Sequence, residues 1–238
     1  LATTVDIAWD ALEANRWKLT YDTVAIITND SVVSISGLEP NSDYIFTVYA
    51  LCDADSSSSI SLPVHTPCNA IELPWSENFD TITTFTSAAT GVQMPCWSFE
   101  MTGSSTYQGA SYQPQVYYSA TNANSGNYSY RLYGESYVLL PLLPTTIDSV
   151  SLAFSQYTTG AAYMLELYSV EDTGYHFIKN LTPSETSTHT NEIYYLNNYY
   201  QGTSHQLAFR NHNTSATTYY TYTYLDDIAI DYIPSCIP

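Results

Sequence analysis

The most informative chemistry in the chain is a pair of adjacent carboxylates, Asp226-Asp227, inside a run that alternates like a β-strand. Successive strand side chains point to opposite faces. Tyr220, Tyr222, Tyr224, Asp226, Ile228 and Ile230 are therefore expected on one face, with Tyr219, Thr221, Thr223, Leu225, Asp227 and Ala229 on the other. If Ile228 and Ile230 are core residues, Asp226 points inward, and a buried carboxylate without a partner costs several kcal/mol. Cations are scarce, with five Lys+Arg against 23 Asp+Glu, so Ca²⁺, a hard ion that takes carboxylate and carbonyl oxygens, is the natural partner. The competing reading has the pair capping a turn in solvent.

A second chemistry is carried by tyrosine, 24 of the 238 residues, paired at Tyr117-Tyr118, Tyr194-Tyr195, Tyr199-Tyr200 and Tyr219-Tyr220. Exposed rings can stack on sugars while neighbouring amides and carboxylates bond hydroxyls. The first ligand candidates are Tyr107, Gln108, Tyr112 and Gln113, in the long polar stretch 103–127 that reads as a loop. Against this, tyrosine has high β-propensity, and half of each adjacent pair must face inward. Catalytic patterns are missing: there is no Gly-x-Ser-x-Gly, no His-Glu-x-x-His and no phosphate-cradling glycine loop. The stretch from Glu166 to Glu171-Asp172 lacks the middle acid of a sandwich glycosidase. The five histidines are scattered, and the chain reads as non-catalytic.

The elements that must position these residues are strands. Period-two alternation recurs throughout, as in Val5, Ile7, Trp9; Val33, Ile35; Tyr44, Phe46, Val48, Ala50; Tyr128, Tyr130, Leu132; Val150, Leu152, Phe154; Leu165, Leu167; Leu207, Phe209; and Ile228, Ile230, Tyr232. An all-β fold of two sandwiches follows, the second of jelly-roll type. A boundary is expected at Pro67-Cys68-Asn69, giving modules at 1–68 and 69–234, with 235–238 beginning a further one.

A net charge of −18 excludes a phosphate-backbone or anionic-lipid binder. The best apolar run, Tyr137 to Leu143, is broken by Pro141 and falls short of the ~18 residues of a span. Four cysteines without a Cys-x-x-Cys suggest disulfides in an oxidising compartment. Three pairings are open, and Cys52 with Cys68 is favoured because both flank one candidate hairpin.

The stretch Gly37-Leu38-Glu39-Pro40-Asn41-Ser42-Asp43-Tyr44-Ile45-Phe46-Thr47-Val48-Tyr49-Ala50 resembles the tyrosine-corner segment of fibronectin type III domains, with Trp9 at the place of their early-strand core Trp and the first strand missing. The second part resembles the cleaved-adhesin and choice-of-anchor J group of jelly-roll domains in surface proteins of Bacteroidota, relatives of MAM domains. Leu73-Pro74-Trp75-Ser76-Glu77-Asn78-Phe79-Asp80, Met94-Pro95-Cys96-Trp97, Val138-Leu139-Leu140-Pro141 and Tyr224-Leu225-Asp226-Asp227-Ile228-Ala229-Ile230 carry that resemblance.

The resemblance implies a calcium between first and last strands, at Glu77 or Asp80 with Asp226 or Asp227. It also implies an extracellular or cell-surface segment of a larger modular protein that binds a glycan or a host or matrix protein. A structural spacer and an accessory module of a carbohydrate-active enzyme are the alternatives. Asp22-Thr23-Val24, Asp30-Ser31-Val32, Asp80-Thr81-Ile82 and Asp148-Ser149-Val150 resemble the O-glycosylation acceptor pattern of the same bacteria.

Overall fold

The structure, a computed structural model, describes residues 3–11, 14–52, 55–82, 94–103, 106–107, 110–111, 113–160, 163–183, 185–213 and 222–234. The all-β expectation holds: among the described residues there are strands and two single-turn 3₁₀ segments but no α-helix, and no helix is long and apolar enough to cross a membrane. The chain divides into two compact units, Leu1–Asn69 and Ala70–Pro238.

The first unit contains β1 (Thr4–Ala8), β2 (Trp17–Tyr21), β3 (Val24–Thr28), β4 (Val32–Ser36), β5 (Asp43–Cys52), β6 (Asp55–Ser56) and β7 (Ile60–His65). β1 pairs β4, and β5 lies between β2 and β7, with β3 beyond β2. Ile7, Leu19, Ile35, Leu38, Tyr44 and Phe46 form its core, so the alternation read from β1, β4 and β5 selects the right face. The Tyr44 hydroxyl accepts the Glu39 N–H at 2.8 Å, bonding back to the backbone just upstream as a tyrosine corner does. Trp9 lies beyond β1 and only flanks the core, edge-on to the more deeply buried Trp17.

The second unit contains β8 (Trp75–Glu77), β9 (Ser98–Met101), β10 (Thr106–Tyr107), β11 (Ala110–Ser111), β12 (Gln115–Tyr118), β13 (Tyr128–Leu132), β14 (Ser136–Leu139), β15 (Val150–Thr158), β16 (Tyr163–Glu171), β17 (Gly174–Asn180), β18 (Thr190–Tyr195), β19 (Leu207–Asn213) and β20 (Thr223–Tyr232). A six-stranded sheet runs β12-β13-β20-β15-β18 with β8 also on β20, and a five-stranded sheet runs β17-β16-β19-β14-β9. Their inner faces share one core, in which Phe154 of the first sheet meets Phe209 of the second at 5.3 Å between ring centres. Phe79, Trp97 and Tyr130 interlock beside it.

Three expectations are corrected here. Residues 103–127 are not one loop: Gln115–Tyr118 is a strand of the six-stranded sheet, missed because Val116 alone supplies its inward apolar side chain. Cys52 is an exposed free thiol, whereas Cys68 and Cys96 are both disulfide-bonded, so the Cys52–Cys68 pairing is wrong. Cys52 instead pairs through its backbone with Asp55 of β6. Finally, Tyr232 is exposed, not inward, at the end of β20.

Candidate functional site

The parity argument for β20 fails at one residue. Two steps along β15, from Ser155 to Ala153, are matched by three along β20, from Asp226 to Ala229. This is a β-bulge, which inserts an unpaired residue and inverts the alternation beyond it. Asp227 sits there with φ 47°, in the left-handed region. Leu225, Ile228 and Ile230 all reach the core, whereas Asp226 shares the opposite, outer face with Tyr224.

Asp226 is nonetheless buried, because the turn that follows β12 folds over it. Its Oδ2 accepts the N–H groups of Asn124 (2.7 Å) and Ser125 (3.0 Å), and its Oδ1 accepts the N–H of Asp227 (2.8 Å). Asp227 takes the Asn124 side-chain amide on Oδ2 and the Ser125 hydroxyl on Oδ1. Asp80 accepts the Asn127 N–H at 3.0 Å, and at Gly126, whose φ of +55° favours glycine, a Cβ would run into the Asp80 carboxylate. Glu77 pairs with Ile228 across β8 and β20, and its carboxylate accepts the Phe79 N–H.

Asp80, Asp226 and Asp227 thus clamp one stretch, Asn124–Asn127. The compensation that Asp226 was expected to draw from a cation comes from backbone N–H groups. Burial pushes its pKa up to about 6, these N–H bonds pull it down, and the Asp227 charge adds to the rise. The oxygens are of the kind Ca²⁺ takes, but among the described residues no three His, Cys, Asp or Glu side chains meet as a metal-holding group.

Beside this clamp the outer face of the six-stranded sheet carries two rows of side chains. One row runs Gln115, Arg131, Tyr224, Tyr157 across β12, β13, β20 and β15, and the His189 ring lies 5.0 Å from Tyr157. In the next row Tyr117 pairs with Ser129, and Asp226 with Ser155. Arg131 is 4% exposed, its guanidinium carbon 4.2 Å from the centre of the Tyr117 ring and 5.0 Å from that of Tyr222. Tyr224 packs against Tyr117, Tyr157 and Tyr222; burial pushes its hydroxyl up to about 12, with Arg131 pulling the other way.

Buried polar groups are almost always bonded. On this face the Ser129 and Ser155 hydroxyls, the Arg131 Nε and Nη2 and the His189 Nδ1 are buried with no hydrogen-bond partner. Aromatic rings beside unused donors and acceptors form a surface that can stack on a sugar ring and bond its hydroxyls.

Of the ligand candidates read from the sequence, Gln108 and Tyr112 lie outside the described residues. Tyr107 is described only as backbone in β10, paired with Ala110, and Gln113 is exposed just before β12. Arg131, Tyr157, Tyr222 and Tyr224 were not selected. Their signal was faint: Arg131 is one of only five Lys+Arg and falls between the inward residues Tyr130 and Leu132.

No protein-family model matches the sequence, and no curated protein matches it. Among solved structures the chain is similar to the K1 cleaved adhesin domain of Lys-gingipain from Porphyromonas gingivalis W83, at 14% identity and TM-score 0.48 over 68% of this chain and 100% of that one. It is also similar to the K3 cleaved adhesin domain of the same protein, at 13% identity and TM-score 0.43 over 66% and 98%. A third likeness is to a carbohydrate-binding module in complex with β-1,4-galactotriose, at 9% identity and TM-score 0.38 over 58% and 88%.

Proposed function

We propose that this chain is a non-catalytic binding segment of an extracellular or cell-surface protein and that the outer face of the six-stranded sheet takes a glycan. The observation that carries this reading is the set of buried, unpartnered polar atoms among tyrosine rings: Ser129, Ser155, Arg131 and His189 between Tyr117, Tyr157, Tyr222 and Tyr224. Leaving such atoms unbonded costs about 1–3 kcal/mol each, and a ligand's hydroxyls recover part of that cost on binding. The disulfide bonding of Cys68 and Cys96 supports an oxidising, extracellular setting. A glycan panel probed with the purified chain tests the reading. Binding that weakens in Tyr117→Ala supports it, and a panel without binders overturns it in favour of a spacer.

The proposal extends to Ca²⁺ at Asp226 and Asp227, with Asp80 and Glu77 beside them. What supports it is charge crowding: three carboxylates hold one four-residue stretch, and among the described residues no Lys, Arg or His is ion-paired with any of them. Ca²⁺ added to chelator-treated protein is expected to raise the melting temperature. An unchanged temperature removes the calcium part and leaves the glycan part standing.

A further inference from the structure

We propose that the ligand of this face is acidic, a sugar bearing a carboxylate such as a uronic acid, and that its carboxylate is received side-on by Arg131; this rests on the glycan-binding reading above. The two unpartnered nitrogens of Arg131 are Nε and Nη2. These form one edge of the guanidinium plane, and their N–H groups are parallel, matching the two oxygens of a carboxylate. A neutral hydroxyl offers them one uncharged oxygen, where a carboxylate offers two that share a negative charge.

The chain has 23 acidic residues against five cationic side chains, yet among the described residues none bonds to this edge. Arg131 is flanked by phenol rings instead, which favour a cation without neutralising it. Tyr117 and Tyr222, which flank the guanidinium, are themselves only partly buried.

The net charge of −18 opposes an anionic ligand at long range. Salt screens that repulsion over about 8 Å at physiological ionic strength, whereas a contact formed among buried rings is screened far less. Asp226, in the neighbouring row of this face, accepts the N–H groups of Asn124, Ser125 and Asp227.

The test uses oligosaccharide pairs that differ only at C6: galacturonate against galactose, glucuronate against glucose, mannuronate against mannose. Binding to the whole chain is measured by calorimetry in about 150 mM salt. At least one acidic member is expected to bind tenfold or more tightly than its neutral partner. Arg131→Met is expected to erase that preference and Arg131→Lys, which keeps the charge but not the fork, to retain only part of it. Near-ultraviolet circular dichroism of each variant checks that the sheet face is intact, and the comparison of ligand pairs on the unaltered protein needs no variant. Neutral and acidic members binding alike, or a preference that survives Arg131→Met, overturns the inference while the glycan reading stands. Absence of binding to any glycan, neutral or acidic, overturns both.

Discussion

The two sheets of the second unit each present an arginine on the outer face, and the two arginines are treated in opposite ways. On the five-stranded sheet Arg210 donates from Nε and Nη2 to a single Glu135 oxygen at 3.1 and 2.8 Å and from Nη1 to Glu166 and the Tyr168 hydroxyl. His212 also reaches Glu135 at 2.9 Å. Tyr175 stacks on Tyr137 and donates to Glu100, a bond that together with burial holds its pKa well above the usual phenol range. That face is closed on itself. On the six-stranded sheet Arg131 has rings on its flanks and, among the described residues, no acceptor on its Nε–Nη2 edge. The difference locates capacity for an outside ligand more sharply than tyrosine content does, since both faces are rich in tyrosine.

The largest effect that could break this comparison is on stability. Arg210→Met strands Glu135 and Glu166 against each other and is expected to cost about 2–4 kcal/mol in urea unfolding. A loss under about 1 kcal/mol would mean that the partnered face is not held by its ion pairs.

Next comes pH. The Asp226 pKa is raised in the fold, so the native state holds its proton more tightly than the unfolded chain. Its contribution is therefore favourable below about pH 4 and falls as pH rises to about 6. Subtracting the profile of Asp226→Asn should reveal a decline of about 2 kcal/mol across that window. Saturating Ca²⁺, which needs the ionised form, is expected to flatten it.

A smaller effect sharpens the functional side. Tyr117→Ala is expected to weaken glycan binding by about 0.5–1.5 kcal/mol, while Tyr175→Ala on the closed face leaves affinity unchanged. Equal losses in both would erase the distinction between faces. The smallest is Arg131→Met on stability: with no ion pair to lose, the cost is expected to stay within about 1 kcal/mol, read from the same urea curves.

What the sequence disclosed and withheld follows from the range of the interactions. Core positions in β5, β13, β15, β16 and β19 were legible because each strand shows its own alternation, and Tyr44 could be placed because its corner closes over five residues. The same local reading missed β2 and β3, where the exposed Val24 and Ile27 blur the pattern. It also failed at Asp227, because a bulge is defined by the partner strand and leaves a plain-looking Asp-Asp in the chain.

The site was hidden for a related reason. Asp226 meets Asn124 and Ser125 about a hundred positions away, and Arg131 meets Tyr222 only through the pairing of β13 with β20. Glu77, Asp80, Asp226 and Asp227 were picked out as a set by resemblance, but the bonding of the three aspartates to Asn124–Asn127 is a product of the fold. Cys52 was misassigned because proximity in a hairpin says nothing about which thiols the folded chain apposes.

The extra residue in β20 divides one strand into two independent halves. Downstream of it, Ile228 and Ile230 are fixed by close packing with the opposite sheet. Upstream, Tyr222 and Tyr224 sit on the other surface, where a change of side chain leaves that packing alone. Ligand preference in such a module can therefore drift by substitution at those upstream positions without disturbing the frame, whereas deleting Asp227 would restore plain alternation, leave both surfaces where they are and remove the carboxylate that holds the Asn124 amide and the Ser125 hydroxyl.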